Sequence, residues 1–71
     1  MNPVEIQSTV IESVSFDPGK RTLWVRFRNG SLYSYFGVST DTYTDLLNAD
    51  SKGTFFNRHI RGSYSWTRLA I

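Results

Sequence analysis

The amino-acid sequence predicts an α+β fold: an antiparallel three-stranded β-meander followed by two short helices packed on one face, with a possible short C-terminal fourth strand. Alternating apolar and polar residues around two turn clusters predict the meander. Apolar residues spaced three and four apart after residue 40 predict the helices. A length of 71 residues allows one domain, so we expect a flexible N-terminal lead-in at 1–9 and a single domain at 10–71.

The strands are predicted from their turns. The first strand covers residues 10–16, and a four-residue loop at 17–20 joins it to the second, which pairs Phe16 with Arg21. Asn29-Gly30 separates the second strand from the third. These two residues best satisfy the two positive φ angles of a two-residue type I′ turn.

That two-residue turn fixes the register of the second hairpin, and the register decides which side chains share a face. Leu23 is then paired with Phe36. The predicted core face carries Leu23, Val25, Phe27, Leu32 and Phe36. The opposite face, called here the aromatic–basic face, carries Trp24, Arg26, Arg28, Tyr33 and Tyr35. This composition is unusual for a plain solvent face, so we expect function there.

The two helices are predicted from caps and apolar spacing. Ser39 or Thr40 is expected to cap the first helix, which ends near residues 48–50, and Ser51 the second. Apolar stripes for docking on the sheet are formed by Tyr43, Leu46 and Leu47 in the first helix and by Phe55, Phe56, His59 and Ile60 in the second. Alternation around Trp66 indicates the fourth strand.

Charges are sorted along the chain although the net charge is only +2. Residues 1–19, 20–38, 39–50 and 51–71 carry −3, +4, −3 and +4. The two basic segments either converge on one positive surface or interleave with the acidic ones and cancel.

Several classes of protein are disfavoured by composition. The chain has no cysteine and one histidine, so no thiolate nucleophile, disulfide or typical zinc site is expected. Paired carboxylates are missing from the basic segments, and we therefore predict that the chain is not an enzyme and needs no metal or cofactor. No apolar run of about 18 residues and no signal peptide are present, which predicts a cytoplasmic protein without a membrane partner.

Candidate ligand-binding residues lie first on the aromatic–basic face. Trp24, Tyr33 and Tyr35 offer rings on which nucleobases stack. Arg26 and Arg28 offer planar guanidinium groups to phosphate. The structural alternative is that the rings form cross-strand pairs and that Arg26 makes a cation–π contact with Tyr33.

Two further candidate clusters lie in the second helix. Ser51 and Lys52 stand at its start, where backbone N–H groups attract anions, although the same residues suit a simple helix cap. Arg58 and Arg61 are three residues apart and share a helix face. Asn57 either reads a base edge or caps, and the lone His59 fits a structural role.

The chain resembles the KTSC domain family, named for its occurrence at the C-terminus of some lysyl-tRNA synthetases and also found in small stand-alone bacterial and phage proteins. The resemblance covers roughly residues 10–66 and lies in an ordered set: Asn29-Gly30, Tyr33-x-Tyr35, Tyr43, Leu46-Leu47, Ala49, Ser51-x-Gly53, Phe55-Phe56-Asn57, Ile60-Arg61 and Tyr64. The family pattern often has proline where this chain has Ser39. The synthetase context implies RNA binding.

These observations favour a non-catalytic nucleotide-binding module that holds RNA or a small signalling nucleotide. A phage protein that sequesters such a nucleotide is one form of this hypothesis. The alternative is a protein-interaction or self-assembly module that uses the aromatic–basic face, for which a homo-oligomer is expected.

Overall fold

The computed structural model describes residues 3–70. These residues form one antiparallel sheet and two helices, in the order β1 (Val4–Glu5), β2 (Ile11–Asp17), β3 (Thr22–Phe27), β4 (Leu32–Phe36), α1 (Thr40–Asn48), α2 (Lys52–His59) and β5 (Trp66–Ala70). The strands are neighbours in chain order, so the sheet is β1-β2-β3-β4-β5. The predicted α+β class is confirmed, but the predicted strand count is wrong because the described residues contain five strands.

The additional strand is β1, which lies in the segment expected to be a flexible lead-in. Val4 pairs with Val14 and Glu5 with Ser13. Ile6 follows with only 3% of its surface exposed, and its N–H donates to the carbonyl of Glu12 at 2.9 Å. Two residues carry no detectable alternation, which is why the sequence pattern missed this strand.

The β2–β3 hairpin keeps the predicted faces with a different register. Phe16 pairs with Leu23 rather than with Arg21, which is a shift of two residues. Because side chains alternate with a period of two, this shift leaves Phe16 on the core side of the sheet. The loop is stabilised by Asp17, whose Oδ1 accepts from the N–H of Gly19 at 2.9 Å and of Lys20 at 3.2 Å.

The β3–β4 turn differs from the predicted type I′ turn. The N–H of Phe27 donates to the carbonyl of Ser31 at 2.9 Å, and the N–H of Gly30 donates to the carbonyl of Phe27 at 3.0 Å. Gly30 has a φ of 93°, whereas Arg21 is the one non-glycine residue with positive φ in the described chain. The loop therefore has three residues: a type I turn that ends in a left-handed glycine. The side chain of Asn29 supports it by accepting from the N–H of Ser31 at 2.9 Å.

The extra loop residue shifts the β3–β4 register by one and exchanges the faces of β4. Leu23 pairs with Tyr35 and Val25 with Tyr33. The inner face, which the helices cover, therefore carries Val14, Phe16, Leu23, Val25, Phe27, Tyr33 and Tyr35. The outer face carries Ser13, Ser15, Trp24, Arg26, Leu32, Ser34 and Phe36. The predicted core positions of Leu32 and Phe36 are wrong, and the predicted aromatic–basic face does not exist as one surface.

Both helices begin at the predicted serine caps. The hydroxyl of Ser39 accepts from the N–H of Thr42 at 3.1 Å, and that of Ser51 accepts from the N–H of Thr54 at 3.3 Å. These bonds satisfy N–H groups that have no partner within a helix. The cap predictions for α1 and α2 are confirmed.

The core lies between the inner face and the two helices. Tyr43 of α1 stacks on Phe16 with ring centroids 4.7 Å apart. Phe56 of α2 meets Phe27 at 5.5 Å and Tyr35 at 5.3 Å, both edge-on. These contacts confirm that both helices pack on one face of the sheet, and they leave the inner face of β4 and β5 partly open.

Candidate functional site

An open cleft of about 590 Å³ lies on the inner face, between α2 and the strands β3 to β5. Its walls are formed by Val10, Phe27, Asn29, Ser31, Tyr33, Tyr35, Phe56, Asn57, Arg61 and Trp66. Five of these side chains are aromatic and four are polar or charged. An apolar pocket with a few convergent polar groups is the usual form of a small-ligand site.

The aromatic wall runs from the core to the surface. Tyr35 is 3% exposed, Tyr33 is half-buried and Trp66 is 55% exposed. Tyr33 is the central ring: its centroid lies 6.3 Å from that of Tyr35 and 5.4 Å from that of Trp66. The two tyrosines share a face because they are two residues apart in β4, and Trp66 joins them because it pairs with Tyr35 across β4–β5. The outer rings of this wall are open to a ligand.

The polar rim comes from α2 and from the β3–β4 loop. Asn57 lies on α2 and Arg61 in the turn that follows it, where the N–H of Arg61 donates to the carbonyl of Phe56 at 2.9 Å. Both side chains are exposed. Asn29 lies on the opposite side of the cleft, in the three-residue loop. The rim thus offers two amides and one guanidinium above the aromatic wall.

The pKa of the Tyr35 phenol is affected by burial and by two neighbouring side chains of the cleft. Burial raises the pKa of Tyr35, the neighbouring Tyr33 raises it further, and the positive charge of Arg61 opposes both effects. A tyrosine phenol is already protonated at neutral pH, and the rise in its pKa preserves that state, so its O–H is a hydrogen-bond donor at the base of the cleft.

The arginines predicted on the aromatic–basic face are engaged elsewhere. Arg26 lies on the outer face and donates from Nη1 to the carbonyl of Gly30 at 3.2 Å. Arg28 donates from Nε to the carbonyl of Ser8 at 2.6 Å and from Nη2 to that of Ile6 at 3.2 Å. Arg28 therefore holds the segment after β1 against the β3–β4 loop. Trp24 is on the outer face as well and does not line the cleft.

The predicted residues of α2 are divided between its two ends. Ser51 caps the helix, and Lys52 donates from Nζ to the carbonyl of Ala49 at 3.0 Å. Both lie at the start of α2, away from the aromatic wall. Arg58 is exposed outside the cleft, and the ring of His59 packs on that of Phe55 at 4.6 Å.

Four predicted site residues are brought together by the fold: Tyr33, Tyr35, Asn57 and Arg61. Sequence reasoning missed Phe27 and Phe56, which it assigned to the core, and Trp66, which it placed only in a possible strand. The alternation around Trp66 was the available signal. It was not sufficient because the partner strand of β5 was unknown.

A known domain family matches most of this chain. The model of the KTSC domain matches residues 7–64, which is most of the chain and includes the cleft residues of β3, β4 and α2.

The chain belongs to the KTSC domain family.

Individual proteins are similar to this chain over most of its length. The chain is 42% identical over 57 residues to a protein of Tsukamurella paurometabola, which covers 80% of this chain and 82% of that one. It is 38% identical over 64 residues to the lysine–tRNA ligase of Nostoc punctiforme, but it spans only 11% of the length of that enzyme. The crystal structure of a KTSC domain protein from Yersinia pestis superposes with a TM-score of 0.91 at 32% identity, over 96% of each chain.

The structure of this KTSC domain is described for residues 3–70. No helix in that range is long and apolar enough to cross a membrane. No group of three or more His, Cys, Asp or Glu residues in that range is arranged to hold a metal ion.

Proposed function

We propose that the cleft binds an unpaired nucleobase together with its phosphate, as a non-catalytic nucleotide-binding site. The observation that carries this proposal is the presence of two accessible rings beside a cation: the half-buried Tyr33 and the exposed Trp66 form the wall, and Arg61 lies on the rim. The ligand is either a free nucleotide or an unpaired nucleotide of RNA, which present the same chemistry to the cleft.

Stacking supplies the first part of the affinity. The rings of Tyr33 and Trp66 are inclined by 53°, so one base lies flat against only one of them and meets the edge of the other. Stacking of a base on an aromatic side chain contributes about 1–3 kcal/mol. This contribution is tolerant of base identity because every base has a π-face.

The rim supplies orientation and charge recognition. The amide of Asn57 matches the donor and acceptor pattern of a base edge. Asn29 offers its amide N–H₂ as a donor, because its Oδ1 accepts from the N–H of Ser31. The guanidinium of Arg61 is suited to a phosphate because it offers two parallel donors.

The size and charge of the cleft favour a short ligand. A volume of about 590 Å³ lies within the range of small-molecule sites, roughly 300–1,000 Å³. Arg26, Arg28 and Lys52 donate to backbone carbonyls rather than forming a basic track beside it. One or two nucleotides therefore fit better than a long polyanion. The lysine–tRNA ligase relatives support RNA as one source of such a nucleotide.

Fluorescence of Trp66 provides a direct test. The chain has two tryptophans, so Trp24→Phe leaves Trp66 as the single emitter while the changed ring lies on the outer face. We expect quenching when this variant is titrated with nucleoside monophosphates or with a short single-stranded RNA. Tyr33→Ala in the same background is expected to weaken binding by about 1–3 kcal/mol. Absence of saturable quenching by every one of these ligands would refute the proposal.

Arg61 and Arg58 form a matched pair for the phosphate contact. Both are exposed arginines near the end of α2, and only Arg61 lines the cleft. Loss of a charge-assisted bond costs about 1.5–3 kcal/mol, so Arg61→Ala is expected to weaken binding roughly 10- to 100-fold. Arg58→Ala removes the same net charge and is expected to leave affinity nearly unchanged. Equal losses in the two variants would show that only long-range charge is involved.

The same titration, repeated at several salt concentrations, distinguishes an RNA ligand from a free nucleotide, and analysis of the recovered ligand shows whether it was altered. For a single-stranded RNA, the logarithm of the binding constant falls by about 0.7 per contacted phosphate for each tenfold increase in salt. A slope that corresponds to several phosphates would favour an RNA ligand. A shallow salt dependence with equal affinity for a mononucleotide would favour a free nucleotide, and hence sequestration. Recovery of the nucleotide unchanged is the expected result for a site without catalysis.

A further inference from the structure

The edge of β5 that faces away from β4 is a second surface that can bind another strand through its main chain. Within residues 3–70, β5 is the last strand of the sheet, so one of its edges has no partner. Its residues Trp66 to Leu69 are all exposed, with Trp66 at 55% and Leu69 at 52%. An unpaired edge of this kind is a template for another strand.

The hydrogen bonds to β4 show which main-chain groups are available at that edge. The N–H of Phe36 donates to the carbonyl of Ser65 at 2.9 Å. Since the N–H and C=O groups of a strand alternate between its two edges, those of Ser65 and Thr67 point to β4. The groups of Trp66 and Arg68 therefore point to the open edge.

We propose that two copies of this chain pair through β5, antiparallel, with the two-fold axis at Thr67. Trp66 then lies opposite Arg68 of the partner subunit, and the outward N–H and C=O groups of both residues bond across the axis. The symmetry repeats this pair, so four main-chain hydrogen bonds join the two sheets.

The side chains of β5 favour this register over the neighbouring ones. Trp66 beside a partner guanidinium is a cation–π pair, and Thr67 beside its own copy is a favourable cross-strand pair. An axis at Arg68 instead places two like charges opposite each other, which destabilises a sheet. It also needs regular pairing near Ala70, where the β4–β5 register is interrupted. An axis at Trp66 pairs both Thr67 and Arg68 with residues outside β5, Ser65 and Tyr64, so fewer residues of β5 pair with each other than with the axis at Thr67.

The same register accounts for two exposed apolar residues. Leu69 of the partner subunit falls opposite Ser65, and Ser65 bonds to Phe36 in β4. Leu69 and Phe36, which is 42% exposed, therefore lie in one cross-strand row with a small serine between them. On the inner side, Arg68 of the partner subunit lies beside Trp66 at the open side of the cleft; its contact with a ligand rests on the proposed function, whereas the pairing itself does not.

Cysteine crosslinking tests the register, because the chain has no cysteine of its own. Residues at a two-fold axis in a non-hydrogen-bonded pair have Cα atoms about 4.5 Å apart, which a disulfide spans. We expect Thr67→Cys to form a crosslinked dimer rapidly under mild oxidation. Leu69→Cys, on the same strand, would be separated from its copy by about four residue rises and is expected to crosslink slowly. Equal rates for the two variants would overturn the register.

Arg68→Pro tests the edge itself. Proline removes the outward N–H of Arg68 and leaves the hydrogen bonds between β4 and β5 in place. Sedimentation velocity is expected to show a concentration-dependent dimer for the unaltered chain and a monomer for this variant, with an unchanged circular dichroism spectrum. A monomer at every concentration of the unaltered chain, or a dimer that Arg68→Pro retains, would overturn the proposal. If Arg68→Pro does not fold, the comparison of the crosslinking rates of Thr67→Cys and Leu69→Cys tests the pairing instead.

Nucleotide titration of the Arg68→Pro monomer separates this inference from the proposed function. Binding that persists in the monomer supports the cleft alone, and loss of the dimer then says nothing against the site. Absence of binding in a confirmed dimer contradicts the proposed function and leaves the β5 pairing intact.

Discussion

A single glycine in the β3–β4 loop decides which side chains can reach the cleft. Gly30 has a φ of 93° and completes a three-residue loop that sets the β3–β4 register. The side chain of Asn29 holds the same loop by accepting from the N–H of Ser31. Because a register slip of one residue exchanges the faces of a strand, Tyr33 and Tyr35 lie in the cleft only if this loop keeps its conformation.

Replacement of Gly30 measures the cost of this left-handed position. Gly30→Ala is expected to lower the free energy of unfolding by about 1–2 kcal/mol, because a Cβ is strained at positive φ. Gly62→Ala is the control: its φ is not positive, and a Cβ there meets no atom within 4 Å. Urea denaturation of the two variants measures the difference. A Gly30→Ala protein as stable as the Gly62→Ala protein would contradict the loop assignment.

At the scale of elements, β4 joins the core to the cleft through alternate residues. Tyr35 faces α2 and is buried, whereas the next residue, Phe36, is on the outer face and exposed. The sequence pattern made the reverse assignment: it placed Phe36 on the core face and Tyr35 on the other face. Both sets of alternate residues in β4 contain large apolar or aromatic side chains, so alternation alone does not distinguish them.

Alanine substitution at these adjacent positions tests the register. Tyr35→Ala is expected to destabilise the domain by about 3–5 kcal/mol, the usual cost of removing a buried aromatic ring. Phe36→Ala is expected to cost well under that, because exposed positions usually change stability by about 0.5 kcal/mol. Thermal unfolding followed by circular dichroism compares them. If Phe36→Ala proved the more destabilising change, the register predicted from Asn29-Gly30 would be the correct one.

The whole molecule is a small domain with a thin core. Its fully buried residues include Leu23, Leu46 and Ile60, each with no exposed surface. A domain of this size has a net stability of only several kcal/mol, about 0.05–0.15 kcal/mol per residue. One buried leucine is therefore a large fraction of the total. The proposed pairing through β5 would add apolar burial that the core alone does not provide.

Adjacent leucines in α1 test this dependence on the core. Leu46 is fully buried and Leu47 only partly. Leu46→Ala is expected to lower the free energy of unfolding by about 2–5 kcal/mol. The melting temperature would then fall from the usual range of about 45–65 °C to below 37 °C, so the domain would be largely unfolded at 37 °C. Leu47→Ala is expected to keep a cooperative transition at a lower midpoint. Equal melting temperatures for the two variants would contradict the orientation of α1.

The sequence determined the features that depend on local chemistry. The serine caps of α1 and α2, the turn positions and the α+β class follow from residues close together in the chain, and the ordered motifs predicted the family. Asn57 and Arg61 were both named as candidates in the polar cluster of the second helix, but Arg61 was paired there with Arg58, which does not line the cleft.

Only the tertiary structure decided the strand register and therefore the site. Asn29-Gly30 is compatible with either a two-residue or a three-residue loop, since glycine at positive φ serves both. The choice is made by packing: the edge-on contact of Tyr35 with Phe56 buries a ring that the other register would turn to the outer face. The same choice brings Tyr33 next to Trp66, from strands separated by both helices. Contacts between such distant residues depend on the energy of the whole core, which no local pattern contains.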